Sequence, residues 1–360
     1  KNAYLVLKFN FSQLDTHPER VETSFNTHAN NVFLLFGKKY RQEVGEEYFA
    51  LIGESTDAHH KLEFCLNYLG TLGHKVYVLI DEYDNFANTI LTTWGQKHYH
   101  ALTHGGGFFR FFFNVLKGAG DQVDSGLGRI FITGVSPVTM DDVTSGFNIG
   151  LNISLNPNFN ALLGFTEQDV KDLLAYYQQH GLPAWETTLP LMQVWYDNYR
   201  FSMDAPEQLF NTDMVLYFVR YLLEQKTYPR EMIDQNIRVD YGKLRHLMVL
   251  DQQLNGNFSR LKEIMETGGI AAEIVTSFPV EDLLRPENFI SLLFYFGLLS
   301  YGVDGELVIP NRTVRKLMYG YFREGYADVE VFQVDLWRFA NLVRAMAYQG
   351  ARNVHLHPAG

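Results

Sequence analysis

An unbroken apolar run, Val76-Tyr77-Val78-Leu79-Ile80, passes directly into two carboxylates, Asp81 and Glu82. Its shortness and β-branching predict a strand over 75–80, buried on both faces of a parallel sheet. Ligands of open α/β sheets bind at the carboxyl ends of the strands, which is where the two acids would emerge. Such a pair suits metal-assisted hydrolysis. Asp81 would hold Mg²⁺, usually through water, and Glu82 would orient and polarise the attacking water. The plainer alternative is that both acids cap the helix that follows.

Four or more apolar residues ending in Asp-Glu form the Walker B arrangement of ATP-hydrolysing P-loop enzymes, although so short a motif also arises by chance. A second apolar run, 129–133, ends in polar residues, Thr133 and, three positions on, Ser136. In ATPases of this class the strand beside Walker B carries a sensor side chain that contacts the γ-phosphate or the attacking water, and Thr133 or Ser136 could fill that role. Ordinary turn chemistry around Gly134 and Pro137 would equally place polar residues there.

The elements around these residues alternate. A strand is predicted over 4–11, helices over 21–40 and 56–72, the strand over 75–80, an aromatic helix containing Phe108–Phe113, and the strand over 129–133; a short further strand is predicted over 152–155. This β-α-β-α-β rhythm predicts a doubly wound α/β sheet. The phenylalanine run reads better as a core helix packed on the sheet than as an interface. From Gly164 the signals become helical, opening at Thr166, which can cap, with acids following in the first turn. Helical segments are expected to about Val275. A helix over 288–296, strands over 298–301 and 306–309 joined by a Gly-Val-Asp-Gly turn, and a helix over 313–321 read as a winged helix.

Composition narrows the class. The 360 residues are 46% hydrophobic, enough for two or three domains, with 28 Phe and 21 Tyr suited to dense packing. No apolar run is long enough to span a bilayer, and the start, KNAYLVLKFNF, does not read as a signal peptide. The single cysteine, Cys65, excludes an internal disulfide and points to a reducing cytoplasm. A formal charge of −11 argues against a surface that coats nucleic acid, while leaving room for a local basic patch.

Longer strings then carry a specific resemblance. The run 131–149 (FITGVSPVTMDDVTSGFNI), followed by GFTEQDV at 164–170, WYDNYRF at 195–201, LFN at 209–211, NFISLLFYFGLL at 288–299 and IPN at 309–311, resembles the bacterial AAA-ATPase-like family over nearly the whole chain. Members are P-loop ATPases usually joined to a C-terminal PD-(D/E)xK nuclease-like domain. The resemblance implies that Asp81 and Glu82 are the Walker B pair and that 133–136 is the sensor segment. It further implies ATP and Mg²⁺ as cofactors.

Two departures from the family pattern matter. No GxxxxGK(S/T) phosphate loop occurs, and Gly37-Lys38-Lys39 is the nearest imitation. Family members carry that loop and the central strand upstream of the segment matching 4–11, so a chain starting at Lys1 is expected to be a fragment that binds ATP poorly, with a gap beside the strand over 129–133. Asn198 stands where the family usually has glycine in the Trp195–Phe201 motif, and Asn tolerates the positive φ of a tight turn.

Weaker features have competing readings. Arg200 could act from a helical lid as a second phosphate sensor, or stack on neighbouring Trp and Tyr. His98, His100 and His104 form H-x-H-x-x-x-H, but no nearby Cys or acid in the sequence completes a ligand set. Arg312, Arg315 and Lys316 give the winged helix a modest basic cluster that would suit DNA. The expected organisation is an ATPase core over 1–163, a helical lid over 164–275, a winged-helix-like module over 276–325 and the start of a C-terminal helical region over 326–360. The function so implied is an ATP-hydrolysing regulatory module, with nucleotide between core and lid and a nuclease-like partner domain expected beyond Gly360. The alternative is a nucleotide-independent scaffold that binds DNA or a protein. A homo-oligomer is compatible with either, and the sequence does not fix the oligomeric state.

Overall fold

The computed structural model describes residues 3–135, 137–144, 150–234, 249–250, 253–254, 256–282 and 285–327. Strands β1 (Leu5–Asn10), β2 (Val76–Asp81) and β3 (Leu127–Ile132) form one sheet in the order β1-β2-β3, with both pairings parallel. The acid-bearing strand is therefore the middle one. Between the strands the chain forms α1 (Val21–Lys39), α2 (Arg41–Val44), α3 (Glu47–Gly53), α4 (Ala58–Thr71), α5 (Asn85–Trp94), α6 (Gln96–Thr103) and α7 (Phe108–Asp121), and α8 (Val138–Thr144) follows β3.

The two faces of the sheet differ. Register partners in a parallel pair share a face, so Leu7, Val78 and Ile130 lie together, as do Phe9, Ile80 and Ile132. Leu7, Phe9, Val76, Val78 and Ile80 are fully buried there. The aromatic residues of α1, α5 and α7 close over them: Phe9 meets Phe33 and Phe112 edge-on at 5.6 and 5.3 Å, and Phe86 meets Phe109 at 4.7 Å. Each such ring contributes about 1.5–3 kcal/mol by burial, and edge-to-face geometry adds to it. Phe109, Phe112 and Phe113 are buried, so the phenylalanine run is a core helix. The opposite face carries Val6, Tyr77 and Arg129 in one row and Lys8, Leu79 and Phe131 in the next, and none of these six is buried. The expectation of a strand buried on both faces is thus corrected. Among the described residues one face of the sheet is packed and the other is partly open.

The register slips between Val76 and Tyr77, which pair with Leu127 and Arg129 and leave Gly128 as the extra residue. A Cβ on Gly128 would press on the Tyr4 ring at 2.7 Å, so the bulge is built on the absence of a side chain. The strand predicted over 152–155 is not formed. Asn152 accepts the N–H of Ser154 through its own side chain (3.0 Å), and this local bond replaces a ladder bond.

Beyond residue 164 lie α9 (Glu167–Gln178), α10 (Trp185–Tyr196) and α11 (Thr212–Gln225). The start of α9 is a reciprocal capping box: Asp169 N–H donates to the Thr166 hydroxyl oxygen, and Thr166 N–H donates to the Asp169 carboxylate. After the short pair β4 (Val249–Leu250) and β5 (Gln253–Leu254) come α12 (Gly256–Thr267), β6 (Gly269–Ile270), α13 (Pro286–Tyr295), β7 (Ser300–Tyr301), β8 (Leu307–Val308) and α14 (Arg312–Ala327). The helical signals expected to about Val275 give way at Gly268, whose φ of 91° ends α12. β6 then pairs antiparallel with β8 to give a small sheet in the order β6-β8-β7. Of the region expected over 326–360, everything past residue 327 lies outside the described residues.

Three hydrophobic clusters hold these elements. The first gathers the sheet and α1 to α8, and also takes in Phe278, Val280 and Leu292 from the later chain. The second joins α12 to α14 with Tyr199 and Leu209, and the third joins α9, α10 and α11. Among the described residues no helix is long and apolar enough to cross a membrane.

Candidate active site at the sheet edge

Asp81 is the last residue of β2, and the chain turns at once through Glu82, which has φ 56°. Three bonds tie this corner to the end of the neighbouring strand. Thr133 N–H donates to the Ile80 carbonyl (2.8 Å), Tyr83 N–H donates to the Thr133 carbonyl (3.0 Å), and the Thr133 hydroxyl donates to Asp81 Oδ1 (2.7 Å). Asp81 Oδ2 faces Lys8 Nζ of β1 at 3.8 Å, with both side chains partly exposed. One carboxylate oxygen is therefore oriented by a hydroxyl while the group stays open to solvent. Glu82 accepts from the side-chain amide of Asn85 (3.2 Å). The Glu82 carbonyl accepts the Asn85 N–H at the start of α5 (3.2 Å), but among the described residues neither carboxylate accepts a backbone N–H of that helix, so side-chain capping does not account for them.

Sequence reading missed Asp84. Its carboxylate is fully buried and accepts the Val135 N–H (3.1 and 3.2 Å) and the Asn88 side-chain amide (2.7 Å), which fastens the 133–135 loop to α5. A Cβ on Gly134 would run into the Tyr83 ring and the Asp84 carboxylate, so the loop can approach this closely only with glycine there. The signal was present as a third acid in Asp81-Glu82-Tyr83-Asp84, but an acid at a helix start reads first as a cap. Lys8 was missed because its relation to Asp81 depends on strand order. Ser136, the other sensor candidate, lies outside the described residues.

Arg200 is placed elsewhere. Its N–H donates to the Ser300 hydroxyl (2.7 Å), its carbonyl accepts the Tyr301 N–H (3.1 Å), and its buried Nε has no hydrogen-bond partner among the described residues. The structure brings Asp81, Glu82 and Thr133 together and does not bond Arg200 to any of them. Arg200 belongs to a second polar centre, where the later sequence motifs meet. Asn198 has φ 74°, the conformation its glycine-like position predicts, and its side-chain amide donates to the Pro310 carbonyl (3.0 Å). Asn311 donates to the Asp197 carbonyl (2.9 Å) and accepts the Val314 N–H (3.1 Å). Isolated bridges pair Phe165 with Phe210 and Tyr199 with Leu209. Burial raises the Asp197 carboxyl above its ordinary pKa, against the lowering effect of the Asn198 N–H bond. A cavity of about 10 Å³ sits here, lined in part by Trp195, Tyr199, Asn311 and Thr313. That is room for one water and not for a nucleotide.

The acid pair fits a hydrated divalent cation, since Asp81 offers an oriented carboxylate that solvent can reach. The cradle for a triphosphate is a different matter. Gly37-Lys38-Lys39 closes the last turn of α1, with Gly37 packed against Tyr48 and Phe49, and presents no loop of free N–H groups.

An α/β unit with an oriented acid pair at its sheet edge is the class this geometry defines. Residues 1–144 match the AAA-ATPase-like family model, described as a predicted AAA-ATPase. The match spans the sheet, the acid pair and Thr133 and ends with α8, so the second polar centre lies beyond it. No curated protein and no solved structure gives a significant match.

Proposed function

We propose that this chain is an ATP-binding and ATP-hydrolysing regulatory module. The observation that carries the reading is the Thr133 hydroxyl on Asp81 at 2.7 Å, at the carboxyl end of the middle strand of a parallel sheet. The match of residues 1–144 to a predicted AAA-ATPase supports it. Mg²⁺·ATP, when bound, supplies the phosphoanhydride and the charge neutralisation that hydrolysis requires. Asp81 holds the hydrated cation, kept in one rotamer by Thr133. Glu82, the next residue, whose carboxylate accepts only the Asn85 side-chain amide among the described residues, would take the proton of an attacking water. Thr133 and Ser136 report the state of the phosphate to the 133–135 loop, which Asp84 couples to α5. Tight triphosphate binding needs a backbone cradle, and with no GxxxxGK(S/T) string in the sequence this chain should bind ATP weakly.

The output of such a module is the later half of the chain. The order β6-β8-β7, with α12 before it and α13 within it, is the strand order of a winged helix, and it supports that assignment. Arg200, with its unpartnered Nε, would act from the helical lid when core and lid close. An attached nuclease-like domain is the target that the family pattern supports. Absence of the phosphate loop favours the second reading, a nucleotide-independent scaffold that holds DNA or a protein through the winged helix. For DNA, Arg312, Arg315 and Lys316 are the candidate contacts, although Lys316 is already paired with Glu231 at 3.1 Å.

The test is Glu82→Gln in the full-length protein. The amide preserves shape but cannot take the water's proton, so ATP binding should persist while turnover falls by at least about a hundredfold. Undiminished turnover would remove Glu82 from the mechanism. Failure of the unmutated full-length protein to bind Mg²⁺·ATP would select the scaffold.

A further inference from the structure

The histidines His98, His100 and His104 lack a complete ligand set in the sequence, and the fold supplies one from far away. His98 turns aside toward Trp94. His100 and His104, one helical turn apart at the end of α6, stack with ring centres 4.4 Å apart. Glu281 comes to them from the short 3-10 turn Val280–Asp282, and Asp142 from α8. One donor atom each from His100, His104 and Glu281 lie within 4.8 Å of one another. Asp142 Oδ1 stands 3.9 Å from His104 Nε2, on a side chain only 1% exposed.

The hydrogen bonds around this group fix which atoms are free. The Thr103 hydroxyl donates its only hydrogen to the Tyr99 carbonyl (3.0 Å), so at its 2.8 Å contact with His104 Nδ1 it must accept. Nδ1 therefore carries the proton, and a neutral His104 presents the Nε2 lone pair toward Asp142. Tyr99 OH donates to Asp142 Oδ2 (2.6 Å), and Val280 N–H reaches the same oxygen (3.4 Å). Asp142 Oδ1 is left buried without any hydrogen bond. His100 Nε2 is 2.9 Å from Glu281 Oε1 and yet makes no hydrogen bond, because the approach is out of line with a ring N–H. Donor atoms from two imidazoles and the Glu281 carboxylate thus gather within 4.8 Å, with the Asp142 carboxylate beside His104, and a buried carboxylate oxygen without a partner is costly. A cation resolves the arrangement.

We propose that His100, His104 and Glu281 form a binding site for a divalent transition metal of the zinc class, with Asp142 beside it. Two imidazoles favour such an ion over Mg²⁺ or Ca²⁺. Zinc with donors at about 2.0–2.1 Å in a tetrahedron sets them about 3.3 Å apart. The 2.9 Å between His100 Nε2 and Glu281 Oε1 is near that value. The outer contacts are those of a metal site, with Thr103 setting the His104 tautomer and the Asp142 carboxylate beside its Nε2. Three protein ligands leave the fourth position to water. The metal braces the 280–282 turn, whose Val280 already sits in the first hydrophobic cluster, against the end of α6.

The experiment uses the full chain without an affinity tag, stripped with a chelator and titrated with Co²⁺ and then Zn²⁺. One cobalt per chain should give the intense visible bands of four-coordinate geometry, and zinc should displace it with a micromolar or lower dissociation constant. His104→Ala and Glu281→Gln, both at partly exposed side chains, should keep the wild-type circular dichroism and weaken zinc binding at least about tenfold. Zinc should raise the melting temperature of the wild type and not that of His104→Ala. A second cluster, Asp57, His59 and His60, also brings three donor atoms within 4.8 Å. The double variant His59→Ala/His60→Ala should therefore bind as the wild type does. Zinc binding weaker than micromolar, retained in His104→Ala, or abolished in the His59/His60 variant would overturn the assignment.

Discussion

The sheet edge and the centre around Asp197 and Asn311 are both polar, both carried by motif residues, and built in opposite ways. At the sheet edge Asp81 and Glu82 stay partly exposed, and each keeps lone pairs unused. At the other centre Asp197 and Asn311 are buried, and Asp197 Oδ1, the Asp197 carbonyl and the Asn311 side chain each have a named partner. Solvent-facing carboxylates with open positions suit reversible binding, whereas buried, hydrogen-bonded groups fix geometry. A long motif is therefore no guide to chemistry by itself. The strings at 195–201 and 309–311 bond to each other and form a joint, while the shorter Asp-Glu pair has the free valences.

If that contrast holds, the joint should be the more sensitive to stability. Asn311→Ala removes the side-chain cap of α14 and leaves the buried Asp197 carbonyl without its donor. A lost cap is worth about 1 kcal/mol and an orphaned buried acceptor about 1–3, so urea unfolding should show a loss of about 2–4 kcal/mol. A loss below about 1 kcal/mol would mean that the joint is not held by these bonds.

How much of this was legible follows the range of the interactions. The α7 core helix and the Thr166 capping box depend on short patterns, and the sequence showed them. Asn198 was legible because a glycine-like position demands positive φ. β6 was not, since Gly269-Ile270 is two residues long and pairs only once β8 is in place. The open face of the sheet was hidden because Tyr77 and Leu79 are as apolar as the residues on the packed face. Asp84 and the meeting of Glu281 with His100 depend wholly on tertiary contacts, and no spacing rule reaches across that many residues.

A pH series sharpens the comparison further. Burial raises the Asp197 carboxyl above its model-peptide pKa of 3.8. For an acid whose folded pKa is raised, the native state is disfavoured once the group ionises. That cost is absent below the unfolded pKa and grows as pH rises through the folded one. Asp197→Asn should therefore be more stable than the wild type at neutral pH, with the difference shrinking as pH falls toward and below 3.8. Chemical denaturation of both proteins across that window isolates the group, because other carboxyls cancel in the difference. A difference that widens on acidification would show that the carboxylate is stabilised in the fold instead.

The smallest effect is expected at the sheet edge itself. Lys8 and Asp81 are 3.8 Å apart with side chains 59% and 42% exposed, a separation and exposure at which ion pairs contribute little. Lys8→Met should change unfolding free energy by about 0.5 kcal/mol or less, and moderate salt should erase even that. The same substitution has a second consequence if Asp81 holds a cation. Lys8 is a positive charge competing for Asp81 Oδ2, so its removal should tighten Mn²⁺ or Mg²⁺ binding, most clearly at low ionic strength. Paramagnetic titration with Mn²⁺ reads this without ATP turnover. Weaker cation binding in Lys8→Met would place Lys8 as an organiser of the carboxylate, and a stability loss above about 1 kcal/mol would make the sheet edge structural, like the joint.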